Sequence, residues 1–303
     1  MTAATPPSPE VAGAADGSSG TIDEMSRRAQ LIPWKSAGRV TEQFASGDEV
    51  VRETGWVFNN ETGQQLTLAE FVATGDDEVP TYVELFRLRD AGDAADPDDR
   101  ATLVEIGSGI GRMTCAFTHE FSAVVACDLD AGFLERCRET VARFGKADRL
   151  RTLEVADGRT LDLPDDSADA AFSYITLQHC DADDALDLTS EAVRVVRPGG
   201  RVALNYRGRA GSDFVLLPIG KIARATLRIP RLGPWLSRRR LLTRFAWQVN
   251  RLQPDQVLAQ IGPDVTDVEI WRNPKSKHTG VGAATQTFEG INPNHWWLVA
   301  TVR

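Results

Sequence analysis

Three glycines alternate with other residues in Gly107-Ser108-Gly109-Ile110-Gly111, and an acidic residue, Glu105, stands just before this loop. Glycine permits a tight turn and lets a ligand approach bare backbone. A helical pattern begins near Arg112, and the start of a helix offers unpaired N–H groups and partial positive charge to a carboxylate or phosphate. The spacing is G-x-G-x-G. Because Arg112 stands where a dinucleotide fingerprint has its third glycine, the loop argues against NAD or FAD.

Acidic residues follow each of the first three predicted strands. Glu105 ends the first, Asp128 ends the second, and Asp157 lies in Asp157-Gly158 after the third. Ligands of an open α/β sheet bind beyond the carboxyl ends of its strands, so these side chains are expected to face the glycine loop. Asp128 can accept from a ribose diol, Asp157 from an adenine amine, and Glu105 can meet a cationic amine.

The same three acids have structural alternatives, namely a loop acid at Asp128, a turn former at Asp157 and a helix-cap partner at Glu105. Together, however, three carboxylates around one loop favour a ligand that carries positive charge. Arg112 can pair with a carboxylate of such a ligand or serve as a structural arginine.

Histidine is the side chain that exchanges protons near neutral pH. His179 follows the fourth predicted strand, and we predict that it acts as a general base, the alternative being a pocket-wall histidine bonded to backbone. His295, just before the last strand, and His278, in the long link before it, are further candidates. Tyr206 is expected to line the substrate side, and His119 lies in a helical pattern without a predicted role.

Short β-type runs alternate with helical patterns from residue 102 to residue 206, which is typical of a parallel sheet covered on both faces. Strands are predicted over 103–106, 123–127, 150–155, 168–174, 201–206, 265–272 and 296–302. Helices are predicted over 112–120, 131–144, 183–196 and 254–261. Proline cannot continue a helix and glycine ends one cheaply, so Arg197-Pro198-Gly199-Gly200 should close the third of these. We therefore predict a doubly wound, mostly parallel, seven-stranded α/β sheet of the Rossmann-like class.

The rest of the chain is expected to surround this sheet. Residues 1–20 predict a disordered tail, because they contain almost nothing to bury. Residues 21–98 predict an N-terminal cap segment with a helix over 77–88, and residues 99–303 the core. The link over 273–295 is long, as functional or mobile links are.

Residues 209–251 form a basic insertion in the core. They contain ten basic residues and one acid, Asp213, so the segment carries +9 and the remainder of the chain −18. Four interpretations compete: a lid that pairs with the acidic core, recognition of an anionic or carrier-bound substrate, contact with a membrane surface that admits a lipid-like substrate, and contact with RNA.

The composition of the chain argues against several classes of protein. The net charge of −9 argues against a generic nucleic-acid binder, so no DNA partner is expected. The four cysteines form no C-x-x-C pair, and no histidine stands at zinc spacing from them, so no metal site is predicted and a reducing compartment fits. The N-terminus lacks the features of a secretory signal, and no apolar run approaches a membrane span, which predicts a cytoplasmic location.

Taken in order, these pieces resemble the class I S-adenosylmethionine-dependent methyltransferases over about residues 100–206. The segments that carry the resemblance are Glu105 to Gly111, Asp128, Asp157-Gly158, Phe172-Ser173-Tyr174, Leu177-Gln178-His179 and Arg197-Pro198-Gly199-Gly200. The resemblance implies an antiparallel last strand, S-adenosylmethionine as cofactor, and an insertion after the fifth strand that shapes the acceptor site.

The resemblance also implies roles for single residues. Gly107 and Gly109 would line the methionine part of the cofactor, Asp128 would hold the ribose hydroxyls, and Asp157 the adenine amine. Backbone near Tyr174 would meet the amino group. The other cofactor contacts we predict are Glu105, Ser108, Gly111, Arg112, Leu129 and Gly158.

The sequence thus predicts an enzyme that moves a methyl group to an oxygen or nitrogen atom of a small acceptor, lipid-like or anionic. Two alternatives stay open: a regulatory or scaffold protein that binds S-adenosylmethionine without catalysis, and a protein methyltransferase. Contact of residues 209–251 with a membrane or an acidic partner is a further expectation.

Overall fold

The computed structural model describes residues 46–54, 65–90, 101–211, 213–227, 229–238, 250–276 and 283–303. The predicted tail over 1–20 and the candidate base His278 lie outside these residues, as does most of the basic stretch after residue 238.

One sheet of eight strands forms the centre of the described structure. The strands are β1 (Thr102–Ile106), β2 (Ala123–Asp128), β3 (Leu150–Glu154), β4 (Ala168–Ser173), β5 (Val196–Arg207), β6 (Val265–Arg272), β7 (Ala284–Thr287) and β8 (His295–Val302). Their order is β3-β2-β1-β4-β5-β8-β6-β7, with β1 to β5 parallel and β8 antiparallel to both β5 and β6. The Rossmann-like α/β sheet with an antiparallel last strand is therefore confirmed.

Two details of the sheet differ from the prediction. The short strand β7 pairs in parallel with β6 and makes the eighth strand, inside the link that the sequence left without structure. All four of its residues are exposed, so no hydrophobic alternation marks it. In addition, β5 begins at Val196, which pairs with Ala168, so the Pro-Gly-Gly segment lies inside the span of β5 with a register shift beside it.

Helices cover both faces of this sheet. They are α1 (Gly47–Thr54), α2 (Leu68–Leu85), α3 (Arg112–Glu120), α4 (Ala131–Phe144), α5 (Ala182–Val195), α6 (Asp213–Leu227), α7 (Leu232–Arg238) and α8 (Pro254–Ile261). The predicted ranges of α3, α4 and α8 are confirmed. The helix expected over 77–88 starts earlier, because Thr67 and Glu70 form a reciprocal capping box and Pro80 is accommodated inside the helix.

Alternating strand residues divide the core between the two faces. Val104, Ile106 and Leu204 face a cluster that includes buried residues of α5 and α8. Leu103 and Val124 face the opposite way, against α2 and α3. The helices α1 and α4 extend that second face through a smaller cluster.

Contacts between aromatic rings position α2 over the carboxyl end of β4. Tyr174 stacks on Trp297 of β8 with ring centroids 5.3 Å apart, and Tyr82 of α2 lies 5.7 Å from Tyr174. Tyr82 also contacts Trp297, at 5.1 Å. Such ring pairs stabilise packing beyond the area they bury, so this cluster holds α2 at the edge where ligands of such sheets bind.

Candidate functional site

A cavity of about 200 Å³ opens at the carboxyl ends of β1, β2 and β4. It brings together residues that are far apart in the chain. The predicted site residues that line it are Glu105, Gly107, Ser108, Gly109, Arg112, Asp128, Leu129, Gly158, Tyr174 and His179. Of the predicted cofactor contacts, Gly111 and Asp157 are not among its lining.

The glycine loop crosses from β1 to α3 in a tight turn. The backbone N–H groups of Gly107 and Ser108 both donate to the carbonyl of Cys127, at 2.7 and 3.0 Å. Gly107 has φ +86°, and a Cβ on it would overlap the side chain of Thr176, so only glycine fits here. Gly109 differs, because a Cβ there would meet no atom within 4 Å.

Asp128 ends β2 and ties this loop to the next strand. Its Oδ2 accepts from the N–H of Gly109 at 2.9 Å, and its Oδ1 accepts from the N–H of Asp130 at 3.3 Å. Burial raises the pKa of Asp128 to about 6, although these backbone donors oppose the rise. A carboxylate has about four lone-pair sites, so further donors can be accepted from the cavity.

Glu105 is the buried acid at the end of β1. Its Oε2 accepts from Thr114 Oγ1 at 2.7 Å, which links β1 to α3. Burial raises its pKa to about 7, while the Thr114 bond and the nearby charge of Arg112 lower it. A positively charged group in the cavity would favour the ionised form of this side chain.

Arg112 is held mainly by α2. It donates to Thr74 Oγ1 at 3.2 Å, pairs with Glu78 at 3.3 Å, and lies 5.8 Å from the ring centroid of Tyr174. Its side chain is buried at the cavity wall. These contacts agree with a structural arginine that fastens α2 to the cavity. The predicted pairing with a ligand carboxylate stays a prediction.

Asp157 shapes a turn at the rim of the cavity. Its Oδ1 accepts from the N–H groups of Arg159 and Thr160, each at 2.9 Å. Partial burial raises its pKa, but these backbone donors outweigh that effect and lower the pKa below its ordinary value. The turn-forming alternative thus describes its contacts, and its neighbour Gly158 reaches the cavity.

His179 lies in the short turn Leu177–His179 that follows β4, and its side chain is buried in the cavity wall. Its Nε2 is 3.3 Å from Gln178 Nε2. His295, at the start of β8, has its Nδ1 3.1 Å from Asn205 Oδ1, and Asn205 Oδ1 also accepts from the N–H of Ile175 at 3.4 Å. Asn205 therefore connects β5, β8 and the cavity segment.

The second candidate base, His295, is held neutral. Burial lowers its pKa to about 3, and the nearby groups of Arg207, His179 and Arg251 lower it further. His119 lies outside the cavity, with Nε2 3.4 Å from the carbonyl of Phe144. Of the described histidines, His179 is the one that lines the cavity.

A match to known families covers this same part of the chain. Residues 104–204 match a family model described as a methyltransferase domain, and they include the glycine loop, Asp128 and His179. The segment is a class I S-adenosylmethionine-dependent methyltransferase domain. S-adenosylmethionine is the cofactor of this class.

Two curated relatives extend the comparison. The chain is 32% identical over 114 residues to a malonyl-[acyl-carrier protein] O-methyltransferase of Methylococcus capsulatus, covering 36% of this chain and 38% of that protein. It is 30% identical over 151 residues to a demethylmenaquinone methyltransferase of Thermobifida fusca, covering 48% and 57%. The matched part of the chain thus covers less than two thirds of the length of each of these relatives.

The solved structures that align with this chain have low sequence identity to it. A magnesium protoporphyrin IX methyltransferase from Synechocystis PCC 6803 aligns over 94% of this chain and 99% of its own, with 11% identity and a TM-score of 0.46. A methyltransferase of Bacillus halodurans aligns over 63% and 72%, with 14% identity and a TM-score of 0.44.

The cavity of the methyltransferase domain fits its cofactor in chemical terms. Open space adjoins the backbone at Gly109, and the buried carboxylate of Glu105 and the half-buried carboxylate of Asp128 adjoin the same cavity. S-adenosylmethionine combines a sulfonium and an ammonium with ribose hydroxyl donors, and such groups complement carboxylates in a poorly solvated site.

The prediction for Tyr206, which lies just beyond the methyltransferase domain, is wrong. Tyr206 does not reach the substrate side: its ring stacks on Trp296 at 4.6 Å, and its hydroxyl lies 2.7 Å from Thr189 Oγ1 in the core beneath α5. Because side chains alternate along a strand, Tyr206 points away from its neighbours Asn205 and Arg207.

Cavity residues that sequence reasoning missed come largely from the helices and the loop after β4. They are Phe71, Ile106, Ile110, Met113, Cys127, Phe133, Val155, Ile175, Thr176, Cys180, Asp184 and Leu188. Of these, Ile175 and Thr176 stood between two matched segments of the family resemblance, and that position was the signal available. Phe71 has no such signal, since it comes from α2, outside the methyltransferase domain.

A cationic group lies next to His295, beyond the end of the methyltransferase domain. Arg207 is the register partner of His295 across β5 and β8. Its Nε is buried without a hydrogen-bond acceptor in the described part of the chain, and burial together with Arg251 lowers its pKa to about 10. The nearby acid, Asp213, is held by Arg251 through two bonds of 2.9 and 3.0 Å.

Proposed function

We propose that this protein transfers the methyl group of S-adenosylmethionine to an oxygen or nitrogen atom of a small acceptor, either anionic or lipid-like. One observation carries the proposal: the glycine loop, Asp128, Glu105 and His179 surround a single cavity within the methyltransferase domain. The cofactor would supply a methyl group on a sulfonium, which is already a good leaving group.

In this proposal the chain recognises two features of the cofactor, its hydroxyl donors and its positive charge. Asp128 accepts hydrogen bonds from the ribose hydroxyls, the turn at Gly107 and Gly109 lies along the methionine part, and Glu105 favours the cationic groups. Asp157 near the adenine amine is kept as a prediction, with one of its oxygens engaged in the turn. Arg112 and Tyr174 form the wall toward α2.

Positioning and exclusion of water are the main catalytic contributions we assign to this chain. Holding two reactants in line can contribute up to about 7–11 kcal/mol. His179 would take the proton of the acceptor, since it lines the cavity and directly follows β4. His295 is less suited, because its pKa of about 3 leaves it a weak base at neutral pH.

The cationic group at Arg207 supports an anionic acceptor. A buried guanidinium is costly unless it is paired, and Asp213 is already bound by Arg251. Charged groups kept in such surroundings cluster at functional sites. Arg207 lies beside His295 and is not among the residues that line the cavity, so a carboxylate or phosphate on an acceptor that extends past the cavity wall would complete its pairing.

Transfer of labelled methyl groups into a cell lysate tests this function. The purified protein is incubated with S-adenosylmethionine carrying a labelled methyl group, and the products are separated into lipid, small-molecule and protein pools. We expect label in the lipid or small-molecule pool. Label confined to protein would indicate a protein methyltransferase. Binding of S-adenosylhomocysteine without label in any pool would indicate a non-catalytic binding protein.

Asp128→Asn is expected to weaken the binding of S-adenosylhomocysteine about 10- to 100-fold, the scale of losing hydrogen bonds to a charged acceptor. The ribose hydroxyl groups donate hydrogen bonds, and they therefore favour the ionised form of the Asp128 carboxylate. Affinity of the unmodified protein should therefore be highest above the Asp128 pKa of about 6 and fall as the pH drops through it. Calorimetric titrations between pH 5 and pH 8 measure both effects.

Asp130→Asn is the matched control for this variant. Asp130 caps α4 through bonds to the N–H groups of Gly132 and Phe133, a role that asparagine also fills, and it loses the same charge two residues away. Its affinity should stay close to that of the unmodified protein. An unchanged affinity in Asp128→Asn would contradict the ribose role.

A further inference from the structure

The helix α6 turns its apolar side outward. Its inner side consists of Asp213, Gly220, Ala223 and Leu227, which are buried. On the outer side, the side chain of Phe214 is 89% exposed and that of Ile222 is 67% exposed. A surface helix of a globular protein ordinarily shows the reverse pattern, with polar residues outward.

The same apolar surface continues across the following turn and α7. Trp235 is 42% exposed there. We call the whole surface the outer face, made up of Phe214, Val215, Leu216, Ile219, Ile222, Ile229, Leu232 and Trp235. These eight are all the large hydrophobic side chains found exposed in the described part of the chain. Concentrated exposure of this kind marks an interaction surface.

Positive charges accompany the outer face. Lys221 is exposed on α6, Arg231 is exposed in the turn before α7, and Arg209 is exposed just before α6. The single acid of the insertion, Asp213, is buried and paired with Arg251, so it does not offset them. The insertion has a net charge of +9, and the rest of the chain has a net charge of −18. This separation of charge would orient the insertion toward an anionic surface.

We propose that the outer face docks on an anionic lipid surface, with α6 lying in the plane of the interface. Phe214, Ile222 and Trp235 enter the boundary between headgroups and acyl chains, and Lys221 and Arg231 contact anionic headgroups. Apolar and aromatic residues combined with lysine and arginine are what such interfacial helices use. In the described ranges no helix has both the length and the apolar character needed to cross a membrane.

A second copy of this chain fits the outer face less well. Two-fold association places the same patch on both subunits, so Lys221 and Arg231 would meet their like-charged counterparts. An anionic lipid surface, by contrast, complements the apolar and the charged residues at once.

The anchoring of α6 links this surface to the cavity. Asp213, the first residue of α6, is bonded to Arg251, and Arg251 follows Asn250. The Asn250 side-chain amide donates to the carbonyls of Leu177 and Cys180 at 2.6 and 2.8 Å. Cys180 lines the cavity. Docking of α6 would therefore act on a segment that is bonded to the cavity wall, and it would bring the protein to a surface that holds lipid-like acceptors if the proposed function holds.

Co-sedimentation of the full chain with lipid vesicles tests the docking. Mixed phosphatidylcholine–phosphatidylserine vesicles should bind the protein, and pure phosphatidylcholine vesicles should bind it much less. Added salt should weaken the binding. The double variant Phe214→Asp/Ile222→Asp should reduce the partition coefficient about ten-fold or more, since two inserted side chains become charged. Lys221→Glu should reduce it about five-fold.

Arg138→Glu is the matched control, because it lowers the net charge by two, as the double variant does. Arg138 lies on α4, where it pairs with Glu135 away from the insertion. Its vesicle binding should equal that of the unmodified protein. Affinity for S-adenosylhomocysteine checks that every variant is folded, so vesicle binding is judged separately from methyl transfer.

Three results would overturn the docking proposal. The first is a lack of binding to the mixed vesicles. The second is equal loss of binding in the double variant and in Arg138→Glu. The third is a dimer in sedimentation that the double variant dissociates, because the outer face would then be covered by a second copy.

Discussion

His179→Ala is expected to lower kcat about 100-fold or more while the affinity for S-adenosylhomocysteine stays within about two-fold. General acid–base catalysis contributes roughly 10²–10⁴-fold, and His179 is the described histidine that lines the cavity. The cofactor contacts that we assign lie on the glycine loop and Asp128, so cofactor binding should not depend on the imidazole. Turnover with the acceptor found by labelling, and calorimetry, measure the two quantities.

A second variant separates a base from a wall residue. His179→Gln fills the same part of the wall but cannot act as that base, so its activity should be as low as that of His179→Ala. Recovery of activity in His179→Gln would assign His179 to packing.

His119→Ala is the control for loss of a histidine. This residue lies at the end of α3, outside the cavity, where it contacts the carbonyl of Phe144. Its kcat should stay at the unmodified level. Full activity in His179→Ala would remove His179 as the base and leave the proton transfer to the acceptor itself or to solvent.

Local signals explain why the central part of the fold was predictable. The α3 and α4 ranges follow from a glycine turn before Arg112 and from the Asp130 cap before Ala131. The alternating strands follow from short apolar runs, and strands buried on both faces carry such runs without polar interruption. The acids at strand ends were predictable for the same reason, since parallel strands place their carboxyl ends at one edge.

Side-chain direction was less predictable than strand position. Tyr206 and Arg207 are neighbours at the end of β5, but Tyr206 packs beneath α5 and Arg207 lies beside His295. Asp157 follows a strand, as Asp128 does, yet its contacts close the turn over 157–160. A one-residue difference in register reverses which side of the sheet a side chain faces.

Contacts between distant segments could not be read from the sequence at all. The Asp213–Arg251 pair joins residues 38 positions apart, and the bonds from Asn250 to the loop after β4 span 70 and 73 positions. The contact between the rings of Tyr82 and Trp297 depends on how α2 packs across β8. Tertiary packing alone decides such pairings, and they are what attaches α2 and the insertion to the cavity.

The glycine loop provides the second large effect. Gly107→Ala is expected to destabilise the fold by about 2–5 kcal/mol, combining a left-handed backbone with overpacking against Thr176. Thermal unfolding should show a markedly lower Tm or no folded protein. Gly109→Ala should cost only about 1–2 kcal/mol, because its φ is +53° but its Cβ would meet no atom within 4 Å.

Because Gly109→Ala should stay folded, this variant tests cofactor binding separately from folding. The added methyl group occupies the open space that we assign to the methionine part of the cofactor, so the folded variant should bind S-adenosylhomocysteine at least about ten-fold more weakly, as inserted methyl groups in tightly packed sites cost 1–3 kcal/mol. Gly262→Ala, with an equally open Cβ position between α8 and β6, should keep both Tm and affinity. Unchanged affinity in a folded Gly109→Ala would mean that the cofactor does not lie along this loop, and the proposed binding mode would fail with it.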